Sequence, residues 1–236
     1  IHGTERSIPS RVSTPSTQAE GDQTIYGMAC DGCNDTIVTF LSMSFNGNYD
    51  GGNPDTLNIL EASRNHQVFG QIHIGDKRAI IRNEQDSTVA DLLIVTEQMI
   101  GKWCYQVLPS LKQRADMDGT EAQMIEQLPD SIAELLTIER EYGMNLMDNH
   151  VAFPIGMRHN RVTSDEDTPV EYPEVKRYME WRIYNGNIIL SETASDSAGV
   201  RHYTAHDTAT LVMLTADTMV LRINDEERGF YKKLAE

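Results

Sequence analysis

The chain has 236 residues, 39% hydrophobic and 24% charged, which fits a globular protein and excludes a wholly disordered one. Its formal net charge is −16; residues 1–97 carry six Lys+Arg against thirteen Asp+Glu, and the remainder fourteen against twenty-three. Neither part has a basic stripe to neutralise phosphates, so nucleic-acid binding ranks low. No run approaches the roughly eighteen apolar residues of a membrane span.

Residues 1–22 are rich in Ser, Thr and Pro and show no apolar period, so a flexible leader is expected. The chain opens on Ile1-His2-Gly3 without a Met or a signal peptide. A trimmed or mature form is expected, from which a signal or lipid anchor has been removed.

From Thr24 the pattern turns to β. Strands are expected over Thr24–Cys30 and Thr36–Leu41, then a Gly- and Asn-rich loop over Asn46–Pro54. Asp55 reads as the N-cap of a short helix through Leu57, Ile59, Leu60 and Ala62. Further strands follow at Val68–Ile74, Lys77–Ile81 and Thr88–Val95, with a Gly75-Asp76 turn. Five short strands cannot leave long edges bare, so residues 23–97 should close into a small OB-like barrel. The helix would then precede the third strand, whereas the usual OB helix follows it. An SH3-like barrel is the alternative.

Thr96–Ile100 reads as a hinge or single helical turn. Gly101 starts a strand ending near Pro109. Glu121–Leu128 and Pro129–Leu136 suit a helix pair, because Pro129 cannot continue the first helix but fits the first turn of a second. Strands resume at Glu141–Met147 and Val151–Ile155, an acidic loop covers Arg161–Pro173, and six strands follow near 177–184, 187–193, 199–206, 209–214, 218–223 and 228–234. Turn signals recur about every ten residues, as in an up-and-down meander. The expected fold is therefore mainly β: residues 98–236 form an eight- to nine-stranded barrel with an inserted helix pair, closed when the last strand meets the first.

Gly101-x-Trp103, Leu128-Pro129-Asp130-Ser131-Ile132, Glu141-Tyr142-Gly143, Leu214–Leu221 and Gly229–Leu234 resemble the lipocalin-like domains of uncharacterised secreted lipoproteins from the Bacteroidetes. The resemblance covers residues 98–236, and a leading small β domain also occurs in that group. It implies a lipocalin-like barrel in an extracytoplasmic place, the periplasm or outer-membrane surface, lipid-anchored before trimming. The Gly-x-Trp motif implies that Trp103 packs at the closed end of the barrel beneath a late-strand Arg, for which Arg222 is the candidate. The helix pair is similar to the lid of fatty-acid-binding proteins.

The residue patterns give no catalytic signature. Cys30-Asp31-Gly32-Cys33 could be a redox dithiol or half a metal site, but it falls in a strand-to-strand turn beside Asp31 and Asp35. A turn, with or without a local disulfide, is favoured over both. His202 and His206 lie on one strand face about 13 Å apart and cannot share an ion. Asp165-Glu166-Asp167 lacks calcium-loop spacing, and Ser131, Ser164 and Ser191 lack a nucleophile elbow. On the 178–184 strand, Met179, Trp181 and Ile183 should share one face and Tyr178, Glu180, Arg182 and Tyr184 the other. That second face is a candidate outer patch, and Trp181 is a candidate cavity wall or ordinary core.

The expected function is non-enzymatic binding, without cofactor or metal. Either a small apolar ligand enters the second barrel or a partner protein of the envelope docks on it. Trp103, Phe153, Trp181 and Tyr203 are the candidate ligand-binding residues. The alternatives are a structural or assembly module without internal ligand and, more remotely, a metal or thiol enzyme at Cys30 and Cys33.

Overall fold

The computed structural model describes residues 17–112, 129–156 and 169–234. It is mainly β, 52% strand and 7% helix.

The first sheet uses β1 (Ile25–Ala29), β2 (Ile37–Met43), β3 (Asp55–Asn58), β4 (Val68–Phe69), β5 (Lys77–Arg82) and β6 (Ala90–Val95), in the order β3-β2-β1-β5-β6-β4. Outside this ladder, Asn58 of β3 bridges Val89 in parallel just ahead of β6. Five strands thus curl into a ring, with β4 laid outside along β6. Helix α1 (Leu60–Arg64) falls between the third and fourth strands of that ring, where an OB-like barrel carries it.

This corrects the expectation for Asp55. It is the first residue of a strand, paired with Phe40, and Leu57 two residues on is buried. Asn58 instead accepts the Leu60 N–H at 2.9 Å, at the head of the helix. Asp is a preferred N-cap and a poor strand former, but pairing with β2 overrides that preference here, and a four-residue strand is too short to show its alternation. The Val68–Ile74 strand is also shorter than expected. Gly70 turns it at φ 92°, and the Gln98 side chain then holds both backbone groups of Gln71.

The second sheet has β7 (Gly101–Val107), β9 (Arg140–Leu146), β10 (Ala152–Ile155), β12 (Tyr178–Tyr184), β13 (Asn187–Ser195), β14 (Arg201–Leu214), β15 (Thr218–Ile223) and β16 (Glu226–Lys233). Its order is β10-β9-β7-β16-β15-β14-β13-β12, every neighbour antiparallel. Read round from β7, this is chain order: an up-and-down barrel whose last strand returns to its first at Tyr231–Cys104. The seam between β10 and β12 holds by the Val151–Glu180 bridge and the Trp181 N–H donating to the His150 carbonyl at 2.9 Å. A side ribbon pairs β8 (Ser110–Leu111) with β11 (Val170–Glu171).

Two expected strands, 199–206 and 209–214, are one fourteen-residue strand. No Gly or Pro interrupts it, and β13 pairs its first part while β15 takes over from Ala209. Between Thr96 and Met99 runs α2, and Asp130–Leu135 forms α3, the second helix of the expected pair. The first helix of that pair, like the Asp165–Asp167 acidic run, lies outside the described residues.

Inward rows of the barrel alternate as pleating requires. Trp103, Met144, Leu146, Trp181, Ile183, Ile188, Leu190, Leu211, Met219, Leu221 and Phe230 pack together with Phe69, Ala79, Ile94 and Met99 of the first sheet and α2. A second cluster fills the first barrel around Val38, Phe40, Ile80 and Leu93. The larger core therefore runs through the junction. Polar ties surround it: Lys77 with Asp148 at 2.6 Å, Tyr26 OH donating to the Ile183 carbonyl, and the His150 ring stacked 4.1 Å over Phe45. The last residues of the expected leader join in. The Asp22 carboxylate accepts the Asn185 N–H, and the Gln23 N–H donates to the Asn185 side chain at 2.7 Å.

Trp103 is fully buried at this junction end, with its indole N–H donating to the Met99 carbonyl at 2.7 Å. The cation over its ring is Lys232, 4.9 Å from the centroid, and not Arg222. Arg222 follows the inward Leu221 and so faces outward, where it pairs with Glu227.

Candidate functional site

The strand ends place the two mouths of the second barrel in different surroundings. Gly101, the Tyr184–Asn187 turn and Lys233 lie at the junction end, which the first sheet covers. Val107, Arg140, Tyr178, Ile223 and Glu226 lie at the other. There the inward rows, with the 173–176 segment beside them, line an open cavity of about 660 Å³.

Its wall is aromatic. Tyr105 follows Trp103 two residues later on the inward row of β7 and meets Phe230 edge-on at 5.3 Å and Tyr142 at 6.3 Å. Met144 forms part of the floor, and Val107 and Ile223 stand at the rim. Burial pushes the Tyr142 hydroxyl above its ordinary range.

Tyr178 joins this wall through a β-bulge. Tyr178 pairs with Glu192 and Glu180 with Ser191, so Met179 is extra and Tyr178 turns to the Trp181 side. This overturns the expected face pattern, in which Tyr178 and Trp181 were opposed. Tyr178 donates its hydroxyl to Asp207 at 2.5 Å, and Lys176 holds the same carboxylate at 2.6 Å. Burial first, then the Asp207 carboxylate, push the Tyr178 hydroxyl far up. Burial works to raise Asp207, but the Lys176 and Tyr178 bonds outweigh it and hold that carboxyl low.

Arg228 is the exposed cation of the mouth. Its guanidinium lies 4.6 Å over the Tyr105 ring and donates to the Tyr105 hydroxyl at 3.0 Å. Among the described residues no carboxylate pairs with it, so it stands ready for an anionic group. Chemically, the cavity offers aromatic faces for apolar contact and a cation at its edge.

The four residues expected to bind ligand divide by parity. Trp103 and Trp181 point into the packed half of the barrel, with the Trp181 indole N–H donating to the Met147 carbonyl at 2.9 Å. Phe153 sits opposite Asn145 on the outer wall and is 46% exposed. Tyr203 is also on the outer wall and donates to the buried Glu180 carboxylate at 2.6 Å. That bond, after burial, pushes the Tyr203 hydroxyl up to about 12.

His202 and His206 go to separate partners, Asp196 and Ser191, each at 2.9 Å. Among the described residues, no group of three or more His, Cys, Asp or Glu side chains converges to hold a metal ion. Cys30, Cys33 and Cys104 are free thiols. Tyr105, Tyr142, Tyr178 and Arg228 were absent from the expected set. The signal for Tyr105 was its even spacing from Trp103; the bulge that turns Tyr178 inward leaves none.

No family model matches the chain, and no curated protein matches it. A solved structure similar to it is a lipocalin-like protein from Bacteroides thetaiotaomicron, 16% identical, with a TM-score of 0.29, covering 58% of this chain and 97% of that one.

Proposed function

We propose that this protein binds a small, largely apolar ligand in the open half of its eight-stranded barrel, without chemical turnover. The observation that carries the reading is the 660 Å³ cavity walled by Tyr105, Tyr142, Tyr178 and Phe230. Its size lies within the usual range of ligand pockets, about 300–1,000 Å³. The packed half below gives the wall a rigid base. The shared core across the junction also suits a scaffold role, but a scaffold has no use for a walled cavity at its far end. The resemblance of residues 98–236 to secreted lipoproteins supports an extracytoplasmic place for this binding.

The test is fluorescence titration with an anilinonaphthalene sulfonate dye, repeated in competition with a long-chain fatty acid. One saturable site is expected. Val107→Trp, which fills the mouth, should weaken dye binding about tenfold or more, because a bulky rim side chain takes the ligand's volume. Phe153→Ala and Tyr203→Ala on the outer wall should leave it unchanged. Binding that survives V107W, or is lost in F153A or Y203A, would move the site away from the cavity.

A further inference from the structure

Arg78 has no exposed surface and points into the first barrel, on the same row of β5 as Ile80. Its guanidinium donates to the His73 carbonyl at 3.0 Å and to Cys33 Sγ at 3.8 Å, while its Nε has no partner among the described residues. Among the described residues no carboxylate pairs with it. Asp76, the acid that acts on it through space, is itself bonded to the His73 N–H and ring. An isolated buried charge costs several kcal/mol, so a buried guanidinium aimed at a sulfur calls for a role.

The sulfur is equally well set. Cys33 Sγ accepts the Thr39 N–H at 3.4 Å, and its S–H has the Cys30 and Thr39 carbonyls as acceptors at 3.2 and 3.3 Å. Cys30 follows β1, and Gly32, at φ 95°, bends the chain so that Cys33 returns against it. Both thiols are free and half-buried, within reach of small solutes. Cys104 is the contrast: it is buried in the barrel wall, and burial and then Glu141 push its thiol up.

We infer that Cys33, backed by Arg78, is a hydroperoxide-reactive thiol, and that Cys30 resolves it into a reversible Cys30–Cys33 disulfide. The thiolate is the attacking form, and the Arg78 guanidinium stands 3.8 Å from the sulfur on which its charge develops. Cys33 sulfur attacks the distal oxygen of the hydroperoxide, the O–O bond breaks, and the alcohol (or water, from hydrogen peroxide) leaves after taking the proton. Cys33 is then a sulfenic acid. The Cys30 thiol attacks its sulfur, the S–O bond breaks, water leaves, and the S–S bond forms. The two cysteines lose two electrons and the peroxide gains them. A dithiol reductant reverses the bridge by exchange. The response is stoichiometric and independent of the barrel cavity.

The test exposes the full chain to hydrogen peroxide at a small molar excess, then quenches with an alkylating reagent and maps peptides by mass spectrometry. The expected product has lost two hydrogens, located between Cys30 and Cys33, with Cys104 still reduced. In Cys30→Ser, dimedone should trap a sulfenic acid on Cys33; in Cys33→Ser, Cys30 should stay reduced. Arg78→Met should slow Cys33 oxidation about tenfold. In the unmodified protein, native iodoacetamide should label Cys33 before Cys30, a readout that needs no variant to fold. Equal or inverted labelling of the two thiols, an unchanged rate in R78M, or a bridge to Cys104 would each overturn the inference.

Discussion

The closed end of the barrel gives a prediction that can be worked through in energy. Trp103 is wholly buried and Met99, which accepts its indole N–H, is buried too. Trp103→Leu removes the donor and leaves that carbonyl without its bond, a cost of about 1–3 kcal/mol. The lost ring surface adds about 1–2 kcal/mol of apolar burial. The sum, about 2–5 kcal/mol, is a large part of the stability of an ordinary domain. Lys232 responds differently. Its ammonium lies over the indole and donates to the Gln98 carbonyl at 2.9 Å, yet burial pushes its pKa down, so the site resists the charge it holds. Lys232→Met keeps most of the stem and removes both the attraction and the desolvation. It should cost less than about 1 kcal/mol. Urea unfolding, followed by circular dichroism and by the remaining Trp181, gives both values. In W103L/K232M the two effects should fall short of additivity by about 0.5–1 kcal/mol, the worth of the cation over the ring. Strict additivity would show that Lys232 does not sense the indole. A W103L loss below about 1 kcal/mol would refute the claim that Trp103 anchors the junction.

Gly143→Ala should be among the most damaging single changes, about 3 kcal/mol or more, since its Cβ would stand 1.9 Å from the Trp103 carbonyl oxygen and 2.9 Å from Cys104 Cα; soluble yield and thermal midpoint report it. Burial pushes the His150 imidazole below its ordinary 6.5, against opposing pulls from the Phe45 carbonyl and Asp148, with Lys77 adding to the depression. The unfolded chain therefore takes up this proton first. The contribution is fully present above about pH 6.5 and is lost as pH falls through that value toward the folded pKa. His150→Asn, which tolerates the φ of 63°, should flatten that part of the stability-versus-pH curve, and an unchanged slope would refute it. Asp148→Asn breaks the Lys77 pair across the junction, but with Asp148 62% exposed the measured loss should stay under about 1 kcal/mol.

The barrel was legible because pleating writes itself into sequence at a period of two. Trp103 with Tyr105, Tyr142 with Met144 and Met219 with Leu221 each announce an inward row, and the Asn185-Gly186 and Asn224-Asp225 turns mark the reversals. What misled was chemistry that serves two structures. Asp55 has the chemistry of a helix cap, and its pairing with Phe40 makes it a strand residue instead. The bulge at Met179 was silent because nothing in the residue type announces an extra position, yet it moves Tyr178 from the outer wall to the cavity. Arg222 and Lys232 are both late-strand cations; parity against Leu221 and Phe230 separates them, which requires knowing the register across β15 and β16. The sites follow the same rule. Phe153 and Tyr203 were attractive as aromatic residues, but being aromatic says nothing of which face a strand presents.

The difference between the two ends of the barrel bears directly on function. At the junction end the inward rows meet Phe69, Ala79, Ile94 and Met99, and the space is filled. At the other end the rows finish at Ile223 and Arg228, Lys176 stands beside them, and the aromatic wall borders a space of about 660 Å³. A dry void of that size, at about 24 cal/mol per Å³, would cost about 16 kcal/mol, as much as or more than the whole stability of an ordinary domain. The cavity therefore has to be open to solvent through its polar rim. Water against Tyr105, Tyr142 and Phe230 makes fewer hydrogen bonds than it does in bulk, so an apolar group that displaces it gains free energy. The barrel can carry this wet half only because the junction half is packed to the centre, and Met144, paired across the sheet with the buried Trp103, forms the floor on which a ligand would rest.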